Sequence, residues 1–156
     1  MIQRKQTLFL VVAVIAYVVC LFLPIASFEP AGMGNGVSMH CLGTVSGENG
    51  IRIDATCVPL FLLCALPALI ALVTIFMYKN RKLQMNLCAI GLLFSVLWYI
   101  DYALILLGIV ALESVEGKAV VNFGACLPLV AIILVALARK GVSDDEKLVR
   151  AADRIR

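Results

Sequence analysis

The stretch Leu87 to Leu112, LCAIGLLFSVLWYIDYALILLGIVAL, runs for 26 residues with one formally charged side chain, Asp101. A helix rises about 1.5 Å per residue and the hydrocarbon core of a bilayer is about 30 Å thick, so about 20 apolar residues cross it. The stretch therefore reads as a transmembrane helix, long enough that it must tilt or protrude. Three further runs qualify on the same count: Leu8 to Phe28, Val58 to Tyr78 and, the shortest, Val120 to Ala138. The composition agrees. The chain of 156 residues is 63% hydrophobic and 15% charged, with a mean hydropathy of +1.04, well beyond the ~45–50% apolar content of soluble domains. Such a composition excludes a disordered or nucleic-acid-wrapping chain, and six scattered cysteines do not make a disulfide-stapled secreted scaffold.

The first run follows Arg4 and Lys5 but exceeds the ~7–15 apolar residues of a signal peptide's core, so it reads as a permanent anchor. Tyr17, Val18 and Val19 are too bulky for Cys20 to be a lipoprotein cleavage site. Lysine and arginine are retained on the cytoplasmic side. Eleven of the 13 lie before the first span, between the second and third, or after the fourth; only Arg52 and Lys118 fall in the other loops. Both termini are thus expected in the cytoplasm, with loops 29–57 and 113–119 outside. Short connections favour antiparallel neighbours. The expected fold is one all-α membrane domain over 1–156: a four-span up-down bundle, a small extracytoplasmic β-hairpin at 37–57 and a short cytoplasmic C-terminal helix at 143–156. Pro24, Pro59, Pro67 and Pro128 lie at or inside the spans, where they can kink helices.

In the outer loop, Val37 to Ser46 and Ile51 to Cys57 flank a three-residue turn, Glu48-Asn49-Gly50, with Gly50 at the left-handed position. That turn pairs residues whose numbers sum to 98, which sets Cys41 opposite Cys57. In an oxidising compartment a disulfide there would contribute on the order of 3 kcal/mol, with two free thiols as the alternative. Cys20, Cys64, Cys88 and Cys126 read as small packing residues within spans. A thiol redox protein would need a Cys-x-x-Cys pair, which is absent, and His40 beside Cys41 does not make a metal site. No cofactor is expected.

Asp101 breaks the apolar pattern. Near the middle of its span a carboxylate costs ~2.5–3.5 kcal/mol on insertion scales, so a partner is expected. Tyr17, central in the first span, is the cheapest one available, with Trp98 and Tyr102 close to Asp101 on its own helix. A protonated Asp101 would be polar glue; pairing with another subunit and a proton path are the other roles. Small residues at helical spacing, Cys88, Gly91 and Ser95 in the third span and Cys64, Ala68 and Ala71 in the second, predict that these two faces meet. Thr74 and Asn122 are the other strongly hydrogen-bonding side chains of spans two and four.

Beyond the fourth span, Gly141 reads as a helix C-cap and Ser143-Asp144-Asp145-Glu146 as a capping box opening a new helix. Its apolar stripe is Leu148, Val149, Ala152 and Ile155, with Arg150, Arg154 and Arg156 toward its C-terminal end. Four acids balance its four basic residues, which favours a protein contact over a membrane-surface anchor. The contact is either the basic Lys79 to Lys82 loop of the same chain or a separate partner.

Three segments, MIQRKQTLFL (residues 1–10), YKNRKLQMNLC (Tyr78 to Cys88) and DEKLVRAADRIR (Asp145 to Arg156), resemble the four-helix inner-membrane proteins of Bacteroidota grouped as domain of unknown function family 4293. The resemblance covers essentially the whole chain. It implies a multi-pass protein of the bacterial cytoplasmic membrane and supplies no activity or catalytic residue. Its motifs lie on the cytoplasmic face and mark a contact surface of Arg4, Lys79, Asn80, Arg81, Lys82, Asp145, Glu146, Lys147, Arg150, Asp153 and Arg154.

The chain shows no phosphate-binding glycine loop, no metal-ligand cluster, no Ser/His/Asp set and no paired acids, so no metal is expected. The expected role is therefore a non-catalytic accessory or assembly subunit in the bilayer, contacting a protein partner or another copy of itself through its cytoplasmic face, with no nucleic acid. A small transporter or channel using Asp101 is the alternative, and a thiol redox protein using Cys41 and Cys57 the third reading.

Overall fold

The computed structural model describes residues 3–29, 36–46, 50–77, 80–108 and 118–153. Four α-helices dominate: α1 (Gln3–Phe22), α2 (Val58–Phe76), α3 (Arg81–Leu106) and α4 (Leu127–Asp153). Each packs on two others, α1 on α2 and α4, α3 on α2 and α4. Five short strands, β1 (Ala26–Glu29), β2 (Val37–His40), β3 (Gly43–Ser46), β4 (Gly50–Arg52) and β5 (Lys118–Val121), form one antiparallel sheet in the order β4-β3-β2-β1-β5. The sheet joins the C-terminal ends of α1 and α3 to the N-terminal ends of α2 and α4, so the molecule has a sheet end and, opposite it, a terminal end.

Three helical stretches are long and apolar enough to cross a membrane, Ala55–Phe76, Arg81–Leu106 and Phe123–Val149, while the apolar part of α1, Gln6–Phe22, is shorter. The side-chain distribution is that of a protein solvated by lipid. Leu8, Ile15, Leu69, Leu93, Ile100 and Ile133 face outward, whereas Ala13, Ala16, Ala68, Ala71, Ser95, Ala131 and Ala138 are buried. Lipid is as apolar as leucine, so large apolar residues gain nothing by turning inward and small ones let helices approach closely. The faces of α2 and α3 meet as expected: Cys64, Ala68, Ala71, Cys88, Gly91 and Ser95 are all buried, and a Cβ at Gly91 would lie 3.7 Å from Ile70.

Several boundaries differ from those expected. The first helix begins at Gln3 and stops at Phe22, and Pro24 ends it rather than kinking it. The following Ala26 to Phe28 belong to β1, an interior strand of the sheet paired with both β2 and β5. Helix α3 is shifted toward the N-terminus: it starts at Arg81 and ends at Leu106, where Gly108 takes a left-handed φ of 71° and its N–H bonds the Ile105 carbonyl at 3.0 Å. Only glycine adopts this conformation without cost, so it stops the helix inside an apolar run that continues past it. Val120 and Val121 belong to β5, since β-branched residues suit a strand as well as a span; α4 starts at Leu127, after a 3-10 turn over Phe123–Cys126, with Pro128 in its first turn.

The outer loop is part of a five-stranded sheet rather than a lone hairpin. Val37 to Ser46 is two strands folded back on each other across Cys41 and Leu42, with His40 opposite Gly43. Gly50 has the expected left-handed φ, 68°, but β3 and β4 pair Thr44 with Arg52 and Val45 with Ile51, a sum of 96 rather than 98. Residues 47–49 of the turn lie outside the described residues. At the other end, Gly141 caps nothing: α4 continues through it without a break to Asp153. A Cβ there would come within 3.0 Å of the Gln6 side chain, so the glycine serves close packing of α4 on α1, and Ser143 to Glu146 lie within the helix rather than at a new start.

Candidate functional site

Two clusters of polar side chains stand out, one at each end. At the terminal end, Gln6 of α1 is buried and its Nε2–H donates to Asp145 Oδ2 of α4 at 2.6 Å. Arg81, at the first turn of α3, donates from Nη1 to the Asp145 carbonyl at 3.3 Å. Gln84, one turn on, is also buried. Gln6, Arg81 and Asp145 come one each from the three segments that carry the family resemblance. Of the basic residues 79–82, Arg81 thus meets the backbone of α4 at Asp145, within a continuous helix rather than a separate tail helix. Leu148 is 63% exposed and Val149 is 46% exposed, and Lys147 pairs with Asp144, at 3.2 Å on the surface. Lys79 and Ile155 lie outside the described residues, as do Arg154 and Arg156, and the side chains of Arg4, Arg150 and Asp153 are not described. Gln6 and Gln84 were missed in the sequence because a glutamine at a span's edge reads as a solvated boundary residue.

At the sheet end, Asp101 sits five residues before the end of α3, about 7–8 Å along the axis, and not at mid-span. Its expected partner is elsewhere: the Tyr17 hydroxyl bonds Ser95 Oγ at 2.6 Å, while Ser95 Oγ also donates to the Gly91 carbonyl at 2.8 Å. The hydroxyl reaches one and a half turns short of Asp101, and serine supplies the shorter link. Trp98 stacks on Tyr102 with ring centroids 5.2 Å apart and meets the edge of Tyr99 at 4.9 Å. Tyr102 donates to the Ile25 carbonyl at 2.8 Å and Tyr99 to the Ala125 carbonyl at 2.7 Å, pinning α3 to the segments around the sheet. Among the described residues, Trp98 Nε1 and Asp101 Oδ2 are the buried side-chain atoms without a hydrogen-bond partner.

Cys41 does not face Cys57. The two-residue β2–β3 turn carries Cys41 down onto α1 and α2, where the Sγ atoms of Cys20, Cys41 and Cys64 all lie within 4.8 Å of one another, fully buried. Cys41 Sγ–H donates to the Cys20 carbonyl at 3.5 Å and Cys64 Sγ–H to the Tyr17 carbonyl at 3.7 Å. The neighbouring Cys20 and Cys64 thiols, with burial after them, push the Cys41 thiol up from its ordinary range. Cys57 is a separate buried thiol, and none of the six cysteines is bonded to another. His40 is engaged elsewhere, its Nδ1 3.2 Å from the Phe22 carbonyl oxygen. Thr44 donates to Asp54 at 2.7 Å and ties the β3 strand to the entry of α2. Asn122 is not in a span: its amide donates to Ser27 at 2.5 Å, across the sheet.

A helical chain with several membrane-length apolar helices, closed at one end by a small sheet, is a multi-pass type of membrane protein. The family model described as Domain of unknown function (DUF4293) matches residues 2–155, and the chain belongs to that family. No curated protein matches it.

Proposed function

We propose that this is a four-span protein of the bacterial inner membrane, with an up-down bundle and both termini in the cytoplasm, acting as a non-catalytic accessory or assembly subunit. The observation that carries the reading is the joining of Gln6, Arg81 and Asp145, which fixes α4 as a rigid extension beyond Arg139 and Lys140. Leu148 lies ten residues past Ala138, about 15 Å along an uninterrupted helix. With Arg139 and Lys140 read as the edge of the bilayer, the helix carries Leu148 and Val149 beyond lipid, and their cover is then a protein. The contact surface is then Leu148 and Val149 with charged residues toward the same end, Arg81, Lys82, Asp145 and Glu146 among them. The test is purification from the native membrane in mild detergent and weighing of the intact assembly. A stoichiometric partner, lost in Leu148→Asp while the chain still inserts and folds, is expected; an assembly unaffected by that change refutes the surface.

A second reading, a small transporter or channel, is favoured by the orphaned Asp101 Oδ2 and Trp98 Nε1, because an uncompensated acid within a span marks a site more often than a strut. Proteoliposomes carrying wild type and Asp101→Asn decide it. A pH-dependent flux abolished by the substitution supports transport, and equal flux from both removes Asp101 from any path.

A further inference from the structure

We propose that Cys20, Cys41 and Cys64 form an all-sulfur binding site for a soft monovalent metal ion, Cu(I). This site lies at the sheet end and goes beyond the accessory role argued for the terminal end.

Three features of the cluster point the same way. The first is convergence: the sulfurs come from the last turn of α1, the β2–β3 turn and the second turn of α2, three segments with no local reason to meet, and yet all three Sγ atoms fall within 4.8 Å of one another. Metal–thiolate bonds are about 2.3 Å, so three sulfurs in a trigonal plane stand about 4 Å apart. Sub-ångström rotation of the side chains closes the cluster onto an ion. A disulfide, at about 2.05 Å, demands much larger approach and a defined torsion between two residues while leaving the third without a role.

The second is the donor set. Sulfur is the only ligand type offered, since among the described residues no histidine or carboxylate joins the group. Thiolates select Cu(I), Zn(II) and iron–sulfur clusters. Structural zinc is almost always four-coordinate, and a catalytic zinc keeps a fourth position for water. Here a fourth ligand is lacking among the described residues, and Cys20, Cys41 and Cys64 are 0%, 0% and 1% exposed, which leaves no approach for water. Three soft ligands and a closed apolar shell match an ion that accepts low coordination.

The third is the state of the thiols without metal. Outside the cluster, the hydrogen bonds of Cys41 and Cys64 are the long ones to the Cys20 and Tyr17 carbonyls, at 3.5 and 3.7 Å, and within it thiol meets only thiol. Thiols are weak donors, so three of them packed together are poorly satisfied as thiols. Binding exchanges their protons for the metal, one proton released per thiolate formed, and no electron is transferred.

The experiment uses the full chain in detergent, reduced and anaerobic, titrated with Cu(I) in competition with the chromophoric chelator bicinchoninate. One equivalent per chain retained against the chelator, with an X-ray absorption spectrum showing sulfur as the sole ligand, is expected. Cys20→Ser, Cys41→Ser and Cys64→Ser should each weaken retention by at least about a hundredfold, more than loss of an outer hydrogen bond to a ligand costs. Cys57→Ser and Cys126→Ser should retain the ion as wild type does, which separates the site from general thiol content. Size-exclusion profiles and thermal unfolding of each variant show that it is folded, and Cys41→Ser, buried in the β2–β3 turn rather than in a helix, is the variant least disruptive to the helices. Loss of the ion to the chelator from the folded wild type overturns the proposal. So does retention by folded Cys41→Ser, or a parallel titration in which Zn(II) displaces Cu(I) at equal concentration.

Discussion

Replacing Gln6 by alanine tests the claim that the terminal end is one rigid piece. The amide of Gln6 is buried and donates to a carboxylate at 2.6 Å. A hydrogen bond to a charged group is worth about 1.5–3 kcal/mol, and its loss falls on α4 beyond Gly141, where the second tie is the longer one from Arg81 to the Asp145 backbone. The opening free energy of this part of the helix should drop by that amount. At 1.4 kcal/mol per factor of ten, backbone amides 143–149 should exchange hydrogen about ten to a hundred times faster, while those of α2 and α3 stay as they were. Hydrogen-exchange mass spectrometry on the full chain in detergent reads this directly. Gln6→Glu sets two carboxylates in contact, so it should loosen the same amides further at neutral pH and recover as the pair takes up a proton in acid. Exchange within about twofold of wild type at 143–149 in both variants would refute the reasoning, and Leu148 could then no longer be placed by the continuous helix.

Tyr17→Phe should lower stability by about 1 kcal/mol, a modest amount because Ser95 keeps its bond to Gly91; a much larger loss on thermal unfolding would mean that Tyr17 supports more than Ser95. Gly124→Ala places a Cβ 2.4 Å from the Pro24 carbonyl oxygen, an overpacking expected to cost about 1–3 kcal/mol, and an unchanged melting temperature would show that the junction yields freely. Mild oxidation of the folded chain should give no Cys41–Cys57 disulfide in peptide mass mapping, because Cys41 packs against Cys20 and Cys64 instead; recovery of that crosslink in high yield would overturn that placement.

The helices were legible because their signal is redundant: a run of 20 apolar residues remains a helix however its edges are drawn. The edges were not, because composition does not distinguish a helix from a strand in a short apolar run. Val120 and Val121 continue the apolar pattern of α4 and yet lie in β5, and Ala26 to Phe28 continue that of α1 and lie in β1. Pro24 and Gly108 were the available stop signals, and each ends its helix where apolar counting runs on. Gly141 shows the opposite error. A glycine near the end of a span reads as a cap, but here a neighbouring helix makes use of its missing side chain.

The sites were harder to read because both are made by packing rather than by spacing. A period-2 register turns one misplaced residue into a wrong set of partners: shifting the sum from 98 to 96, and splitting 37–46 into two strands, moved Cys41 from Cys57 to Cys20 and Cys64. The intervals between the three cysteines, 21 and 23 residues, match no local ligand motif. A depth count carries part of the signal. Cys20 lies two residues before the end of α1, and Cys64 six residues after the start of α2. Antiparallel helices joined at that end place both within about two turns of the sheet. The missing step is the two-residue turn that drops Cys41 between them, and it follows from β2 and β3 pairing with each other. Asp101 yields to the same count once α3 is known to stop at Leu106: the acid lies five residues from the helix end rather than at mid-helix, and its Oδ2 is left without a hydrogen-bond partner.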